Sequence, residues 1–372
     1  MTAGDHLVIG AVDADTQRSD QRFPRRWLRP GLVDHDRLVA VFVHCDRLHT
    51  PTEWANNQKI SFSMSKRSLA LNRGFFSGLH ALNTVCTLTI AWRAFEGAPT
   101  VLAANRDEVL DRESEPPTLR SGSDAEADAE PDAEADAEPD AEADAEPDGA
   151  SRYIAPRDGE AGGTWIGMGS SGLVVAVTNR WLDVDREGDR SRGRLVDDCL
   201  REPSAEAAVR SVEQELDERA YDGFNLVLAD DLAAFLLSYD GRLSVTRLDP
   251  GAHVIGNVGG VVNGEPRFAI PERRAEVGAE RADSARRVAA AVVPEPGEDA
   301  DAWLDRATDV LGDHSYGACL HGDGFGTRSF TRIRTGSEPA FAYADGPPCE
   351  TDAEPVRVPR GFGDGDATES QF

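Results

Sequence analysis

The chain has 372 residues, a formal net charge of −28 and 40% hydrophobic residues, enough to bury the core of one large domain or two small ones. The negative charge repels phosphate groups, so nucleic acid is excluded as an expected partner and stable attachment to an anionic membrane is disfavoured. The sequence contains no apolar run of transmembrane length and no signal-peptide pattern at its start, so we expect a cytoplasmic protein.

The charge is unevenly distributed along the chain. Residues 1–85 contain eight acidic and eleven basic residues, whereas the remainder contains 59 acidic and 28 basic residues. Both lysines, Lys59 and Lys66, precede Cys86, so every base after it is arginine. An acidic surface without lysine resembles the surfaces of proteins from extreme halophiles; an ordinary acidic protein is the alternative.

The segment 1–85 differs from the rest of the chain in more than charge. It holds five of the eight histidines and shows little sustained hydrophobic periodicity. We interpret it as a mis-annotated or disordered N-terminal extension, with the folded domain beginning at Cys86. If the segment is a genuine part of the protein, the alternative is that it is disordered or serves in targeting.

A repeated acidic segment interrupts the domain that follows. Residues 124–147 are three copies of the octad Asp-Ala-Glu-Ala-Asp-Ala-Glu-Pro. Such a segment cannot bury a core and its like charges repel one another. We therefore predict a disordered insertion over residues 121–150 within a domain spanning 86–345, followed by a disordered acidic tail over 346–372.

The sequence of the domain predicts short strands first, followed by helices that alternate with further strands. Strands are predicted where short apolar runs are bounded by Gly or Pro, at Cys86–Phe95, Val101–Ala104, Trp165–Met168, Leu173–Thr178, Phe224–Leu228, Ala233–Tyr239, Leu243–Arg247, Tyr316–Leu320 and Ser329–Arg334. Helices are predicted at Gly193–Arg201, from Ser204 onward, at Arg273–Val292 and at Ala302–Leu311. This order predicts an α+β fold of stacked antiparallel sheets flanked by helices.

Four consecutive polar residues follow the apolar run Val101–Ala104. They are Asn105, Arg106, Asp107 and Glu108. Polar residues at the end of a strand lie where a sheet meets a loop, a common place for functional groups. The plainer interpretation is a solvated turn with one Arg–Asp pair.

Further motifs accompany this one in a fixed order. They are Gly162-Gly-Thr-Trp-Ile-Gly167, Gly172-Leu-Val-Val-Ala-Val-Thr-Asn179, Arg192-Gly-Arg-Leu-Val196, Tyr221-Asp-Gly-Phe-Asn-Leu226, Gly256-Asn257 and Gly324-Phe-Gly-Thr-Arg328. Together with Leu102-Ala-Ala-Asn-Arg-Asp-Glu108, this set resembles the NRDE family, also called the transport and Golgi organisation 2 family. The resemblance spans roughly residues 86–334 and omits the acidic repeats.

The resemblance implies an N-terminal-nucleophile-hydrolase-like fold with αββα layers and a cysteine nucleophile. Members of the family begin Met-Cys, so Cys86 would be the first residue of the mature chain, attacking a small acyl substrate with its own α-amine as base. Arg106 would favour the thiolate and Asp107 would hold the α-amine. Asn179 and Asn257 would direct their amides at the developing oxyanion.

Three other residues are candidates for binding the substrate: Asn105, Trp165 and Arg328. The alternatives remain open for several candidates. Cys86 can be a buried, inert strand residue. Trp165 can be a structural side chain beside Gly162 and Gly163, and Arg328 can pair with a local acid instead of a substrate carboxylate.

No metal or other cofactor is expected. The five cysteines contain no Cys-x-x-Cys pair, which is typical of a reduced cytoplasm, and no spacing gathers His253, His314 or His321 with acids on one helix face. Cys319 and His321 would share one side of a strand, a weak indication of haem ligation. The resemblance therefore also leaves open a non-catalytic carrier or chaperone for lipid or haem on the same fold.

The excess of negative charge predicts that stability rises with salt. Screening shortens the range of repulsion among the carboxylates, so the melting temperature should climb by several degrees between roughly 0.1 and 3 M salt. Thermal unfolding followed by circular dichroism measures this. A flat or falling dependence would contradict the halophile interpretation.

Overall fold

The computed structural model describes residues 86–121, 151–184, 186 and 188–363. The expected N-terminal extension 1–85, nearly all of the acidic insertion and residues 364–372 lie outside these ranges. The described residues form two antiparallel sheets and four α-helices.

The first sheet has eight strands in the order β12-β11-β10-β1-β2-β13-β14-β15. Its strands are β1 (Cys86–Phe95), β2 (Ala98–Val109), β10 (Gly251–Gly256), β11 (Gly259–Val262), β12 (Glu265–Phe268), β13 (Phe325–Arg334), β14 (Ala340–Ala344) and β15 (Glu354–Val356).

The second sheet has seven strands in sequence order, from β3 to β9. They are β3 (Ser114–Arg120), β4 (Tyr153–Asp158), β5 (Ile166–Gly169), β6 (Val174–Asn179), β7 (Phe224–Ala229), β8 (Ala234–Tyr239) and β9 (Leu243–Arg247).

A pair of helices covers the outer face of each sheet. The helices α1 (Arg192–Cys199) and α2 (Ala205–Glu218) pack on the second sheet, and α3 (Ala275–Ala291) and α4 (Ala300–Gly312) pack on the first. The layers therefore run helix, sheet, sheet, helix. The expected α+β fold of stacked antiparallel sheets flanked by helices is confirmed. Among the described residues, no helix is long and apolar enough to cross a membrane.

The alternation of side chains along β1 explains how this strand serves two cores. Leu88 and Ile90 are buried in the apolar layer between the two sheets. Ala91 belongs instead to the core beneath α3 and α4. Because successive strand residues point to opposite faces, Cys86 shares the inter-sheet side with Leu88 and Ile90. The nucleophile candidate therefore lies at the beginning of a central strand, where the inter-sheet core ends.

Side-chain caps define where two of the helices begin. The Ser204 hydroxyl accepts a hydrogen bond from the Ala207 amide at 3.2 Å, so α2 begins where the sequence predicted. The Asp299 carboxylate accepts one from the Ala302 amide at 2.8 Å and caps α4.

The predicted strand Tyr316–Leu320 is wrong. Residues His314–Tyr316 form a short 3-10 helix that ends at Gly317, whose φ of +70° turns the chain. The Ala318 carbonyl then accepts a hydrogen bond from the Asn105 side chain rather than from a neighbouring strand. The apolar pattern here reflects burial in a loop.

The structure also departs from the expected tail over residues 346–363. β15 pairs with β14, and Phe362 is buried in the inter-sheet core. The Gly363 amide donates a hydrogen bond to the Ser170 carbonyl at 2.9 Å. Scattered apolar residues in an acidic, Pro-rich segment carry no periodic signal, so their burial was not visible in the sequence.

The acidic insertion joins two strands whose ends are adjacent. Arg120, the last residue of β3, pairs directly with Tyr153, the first residue of β4. Replacing residues 122–150 with a short Gly-Ser hairpin loop should therefore change the melting temperature by only a few degrees, because the cost of loop closure changes slowly with loop length. Calorimetry of the shortened protein tests this, and a loss of tens of degrees would show that the repeats stabilise the domain.

Candidate functional site

The pairing of β1 with β2 brings two of the predicted site residues side by side. Cys86 is in register with Arg106 across the antiparallel ladder. β2 continues through Val109, so the polar run lies within a strand and not after its end, as the sequence analysis had placed it. Asn105 and Asp107 consequently point to the opposite face of the sheet from Arg106.

A cavity of about 240 Å³ opens at this point between the ends of the sheets. Its lining includes five of the predicted residues: Cys86, Arg106, Asp107, Trp165 and Asn179. The lining also contains both signs of charge, with a single large aromatic side chain. The cavity suits a small polar molecule.

The backbone nitrogen of Cys86 is held by a side chain. It donates a hydrogen bond to Asn257 Oδ1 at 3.0 Å, and Asn257 Nδ2 donates to the Asn179 carbonyl at 2.8 Å. Asn257 is almost completely buried. Asn257 therefore holds the Cys86 nitrogen through its oxygen and the end of β6 through its nitrogen, while the oxyanion role implied by the resemblance stays a prediction.

The hydrogen-bonding capacity of the Asp107 carboxylate is only partly satisfied. Its Oδ1 accepts a hydrogen bond from the Thr327 hydroxyl at 2.5 Å, while Oδ2 is buried with no hydrogen-bond partner among the described residues. Burial raises the pKa of Asp107 to about 8, although the Thr327 hydroxyl and the charge of Arg281 oppose this. A cationic donor beside Oδ2 would restore the ionised form.

The Cys86 thiol is not a thiolate at neutral pH. Burial, followed by the charge of Asp107, raises its pKa to about 12, whereas the Asp107 backbone amide and Arg106 act to lower it. Arg106 therefore lowers the pKa of the thiol, as expected, but desolvation raises this pKa by more. An attack by this sulfur requires a base that can take its proton.

Arg106 is fixed by an aromatic ring and two carboxylates. Its guanidinium carbon lies 4.0 Å from the centre of the Trp165 ring, a cation–π arrangement. Its Nη2 lies 3.3 Å from Asp158 and 3.6 Å from Glu108. Trp165 therefore orients the arginine as well as lining the cavity.

Two predicted binding residues do not face the cavity. Asn105 is buried, and its Nδ2 donates to the carbonyls of Leu311 and Ala318, so it anchors the loop after α4. Arg328 forms an ion pair with Asp345, which supports the local-acid alternative.

Three further residues of the site were not assigned roles from the sequence. Arg112 binds Asp158 with its Nε at 2.8 Å, and both line the cavity. Arg192 also lines it while donating to the Gly223 carbonyl at 2.9 Å. Arg112 follows Glu108 by four positions and Asp158 precedes the Gly-Gly-Thr-Trp motif, but single charged residues are too common for such positions to be a signal.

Gly162 and Gly163 shape one wall of the cavity. Both have positive φ, at +65° and +74°, and a Cβ added to Gly163 would lie 2.4 Å from the Gly193 backbone. The Thr164 amide donates to the Gly193 carbonyl at 3.0 Å. This close approach of two backbone segments holds the start of α1 against the cavity.

Comparison with known proteins supports the assignment to a family. Residues 85–265 match the model of the family described as Transport and Golgi organisation 2, which confirms the resemblance to the NRDE family. No protein of curated function matches the sequence significantly.

Solved structures of acylases and amide hydrolases align with much of the chain. Penicillin V acylase from Agrobacterium tumefaciens aligns with a TM-score of 0.39 and 14% identity, covering 70% of this chain and 86% of its own. Conjugated bile acid hydrolase from Clostridium perfringens gives 0.41 and 8%, covering 74% and 97%. The Caenorhabditis elegans ortholog of N-acylethanolamine-hydrolyzing acid amidase gives 0.39 and 9%, covering 67% and 92%.

The close packing of Gly163 predicts an unequal effect of two identical substitutions. Gly163→Ala should destabilise the fold by about 2–4 kcal/mol, because a left-handed backbone is strained and the new methyl overlaps Gly193. Gly264→Ala is the matched control, since its φ is +73° but no atom lies within 4 Å of the added Cβ. It should cost about 1 kcal/mol. Equal costs in denaturant unfolding would rule out the overlap.

Proposed function

We propose that this chain, whose residues 85–265 belong to the Transport and Golgi organisation 2 family, is a cysteine N-terminal-nucleophile hydrolase acting on a small amide or ester. The observation that carries the proposal is the hydrogen bond from the Cys86 nitrogen to Asn257 Oδ1. That nitrogen becomes the α-amine when Cys86 is the first residue, and its position is already fixed beside the cavity.

The raised pKa of the Cys86 thiol supports the need for the α-amine. A neutral α-amine, with an ordinary pKa near 8, can accept the thiol proton as sulfur attacks the substrate carbonyl. The resulting ammonium then gives this proton to the leaving amine or alcohol. Water hydrolyses the remaining thioester, returning the thiol and releasing the acid.

Asp107 and Asn257 would position the amine. The unpartnered Oδ2 of Asp107 supplies the acceptor and negative charge that an ammonium requires, and Asn257 Oδ1 supplies a second acceptor. In this scheme Asn179, a residue of the cavity lining, acts as the oxyanion donor.

The decisive test changes only the residue before Cys86. A protease site inserted into the full chain would allow cleavage that leaves Cys86 first, and a second version would leave one extra glycine. With Cys86 first, the thiol should react with iodoacetamide at least about tenfold faster near neutral pH, because each pKa unit changes the thiolate fraction tenfold. A panel of nitrophenyl esters and nitroanilides of short acids should be hydrolysed by this version alone.

Equal labelling and equal turnover by the two versions would exclude the α-amine as base. Absence of turnover from both, with an unchanged fold, would favour the alternative of a non-catalytic lipid or haem carrier.

Asp107→Asn should test whether turnover needs the negative charge of this residue or only a side chain of its shape. The substitution keeps a hydrogen-bonding group but removes the counter-charge of the ammonium, so turnover with Cys86 first should fall roughly a hundredfold. Asp111→Asn makes the same chemical change at an exposed acid nearby and should leave turnover unchanged. If both variants retain full activity, Asp107 does not hold the amine.

A further inference from the structure

Four metal-binding side chains converge at a place that the proposed chemistry does not use. His314, Cys319, His321 and Cys349 each offer one ligand atom, and these atoms all lie within 4.8 Å of one another. None of the four lines the cavity beside Cys86. No metal was expected from the sequence, because it contains no Cys-x-x-Cys pair and no spacing gathers His314 or His321 with acids on one helix face.

Three of these atoms are spaced nearly as in a tetrahedral site, and the ligand atom of His314 lies within 4.8 Å of them. Cys319 Sγ lies 3.4 Å from Cys349 Sγ and 3.6 Å from His321 Nε2, which lies 3.2 Å from Cys349 Sγ. Around a zinc ion with Zn–S bonds of about 2.3 Å and Zn–N bonds of about 2.0 Å, ligand atoms are about 3.3–3.8 Å apart. Small adjustments of the side chains therefore suffice to close the coordination sphere.

The chain holds the ligands in place through local turns. The 3-10 helix that carries His314 is capped by Asp313, whose carboxylate accepts from the Ser315 amide at 2.8 Å. The amide of Glu350 donates to the Pro347 carbonyl at 3.0 Å, forming the turn that presents Cys349.

An outer carboxylate also faces one of the ligands. Glu350 Oε1 lies 3.9 Å from His321 Nδ1, on the opposite side of the ring from Nε2. A carboxylate at this position favours a proton on Nδ1 and leaves Nε2 free to bind a metal.

We infer that His314, Cys319, His321 and Cys349 form a structural zinc site. Two thiolates and two imidazoles are the ligands that Zn²⁺ prefers, and four protein ligands leave no open position for catalysis. Binding requires each thiol to release its proton to solvent. The ion would join the segment after α4 to the turn after β14.

The site would also support the loop behind Asp107. Leu320, between two of the ligands, donates its amide to Thr327 Oγ1 at 2.9 Å, and the same hydroxyl donates to Asp107. Asn105 binds the Ala318 carbonyl next to Cys319. Zinc would therefore stabilise the backbone that holds this carboxylate, without depending on whether Cys86 is catalytic.

Cobalt(II) substitution tests the ligand set directly. The full chain, reduced and freed of metal by a chelator, should bind one Co²⁺ with the intense visible bands of a tetrahedral ion and a near-ultraviolet thiolate charge-transfer band, both lost on adding one equivalent of Zn²⁺. Cys349→Ser and His321→Asn should each weaken Co²⁺ binding by at least about a hundredfold, since a lost ligand costs more than a lost outer-shell partner. Cys199→Ala, which removes a buried thiol elsewhere, should leave the spectrum unchanged.

Unfolding measurements separate this site from adventitious binding. A stoichiometric amount of Zn²⁺ should raise the melting temperature of the metal-free chain, and Cys319→Ser should abolish the increase. A Cys319–Cys349 disulfide in freshly isolated protein with no bound zinc would overturn the inference. So would a cobalt spectrum without a thiolate band, a spectrum unaffected by Cys349→Ser, or stoichiometric haem binding at these residues in place of Co²⁺.

Discussion

A buried amide links the two sheets at the place where the candidate site forms. Asn257 follows β10 in the first sheet, accepts a hydrogen bond from the nitrogen that begins β1, and donates to the carbonyl that ends β6 in the second sheet. Leaving either end of a buried amide unsatisfied costs about 1–3 kcal/mol. The contact therefore aligns the ends of the two sheets and fixes the position of the Cys86 nitrogen.

Desolvation decides the electrostatic character of this site. It raises the pKa of the Cys86 thiol to about 12 and that of Asp107 to about 8, despite a neighbouring arginine in each case. Both shifts favour neutral forms in the chain as it stands. In the proposed mechanism, an α-ammonium near the two groups would oppose both shifts, because its charge stabilises the carboxylate and the thiolate. The ionisation of both groups would then depend on whether Cys86 has a free amine.

One side chain of β13 contacts both clusters of functional side chains. Thr327, at an irregularity in the pairing of β13 with β2, contacts both Asp107 and the backbone of the segment that carries Cys319 and His321. This hydroxyl therefore connects a candidate catalytic group to the loop that offers the metal ligands.

The sequence by itself determined the family resemblance, the layered fold and five of the residues around the cavity. Motifs such as Asn-Arg-Asp-Glu and Gly-Gly-Thr-Trp are local, and their side chains or backbone must lie close together whatever surrounds them. The tertiary structure alone decided the partners of Asn105, Asn257 and Arg328, because a side chain's partners depend on elements far along the chain. It also placed Cys349 beside His321, and Arg192 on the same cavity as Cys86. Such contacts join segments separated by about 28 and 106 positions, and neither hydrophobic periodicity nor motif spacing records which segments pack together.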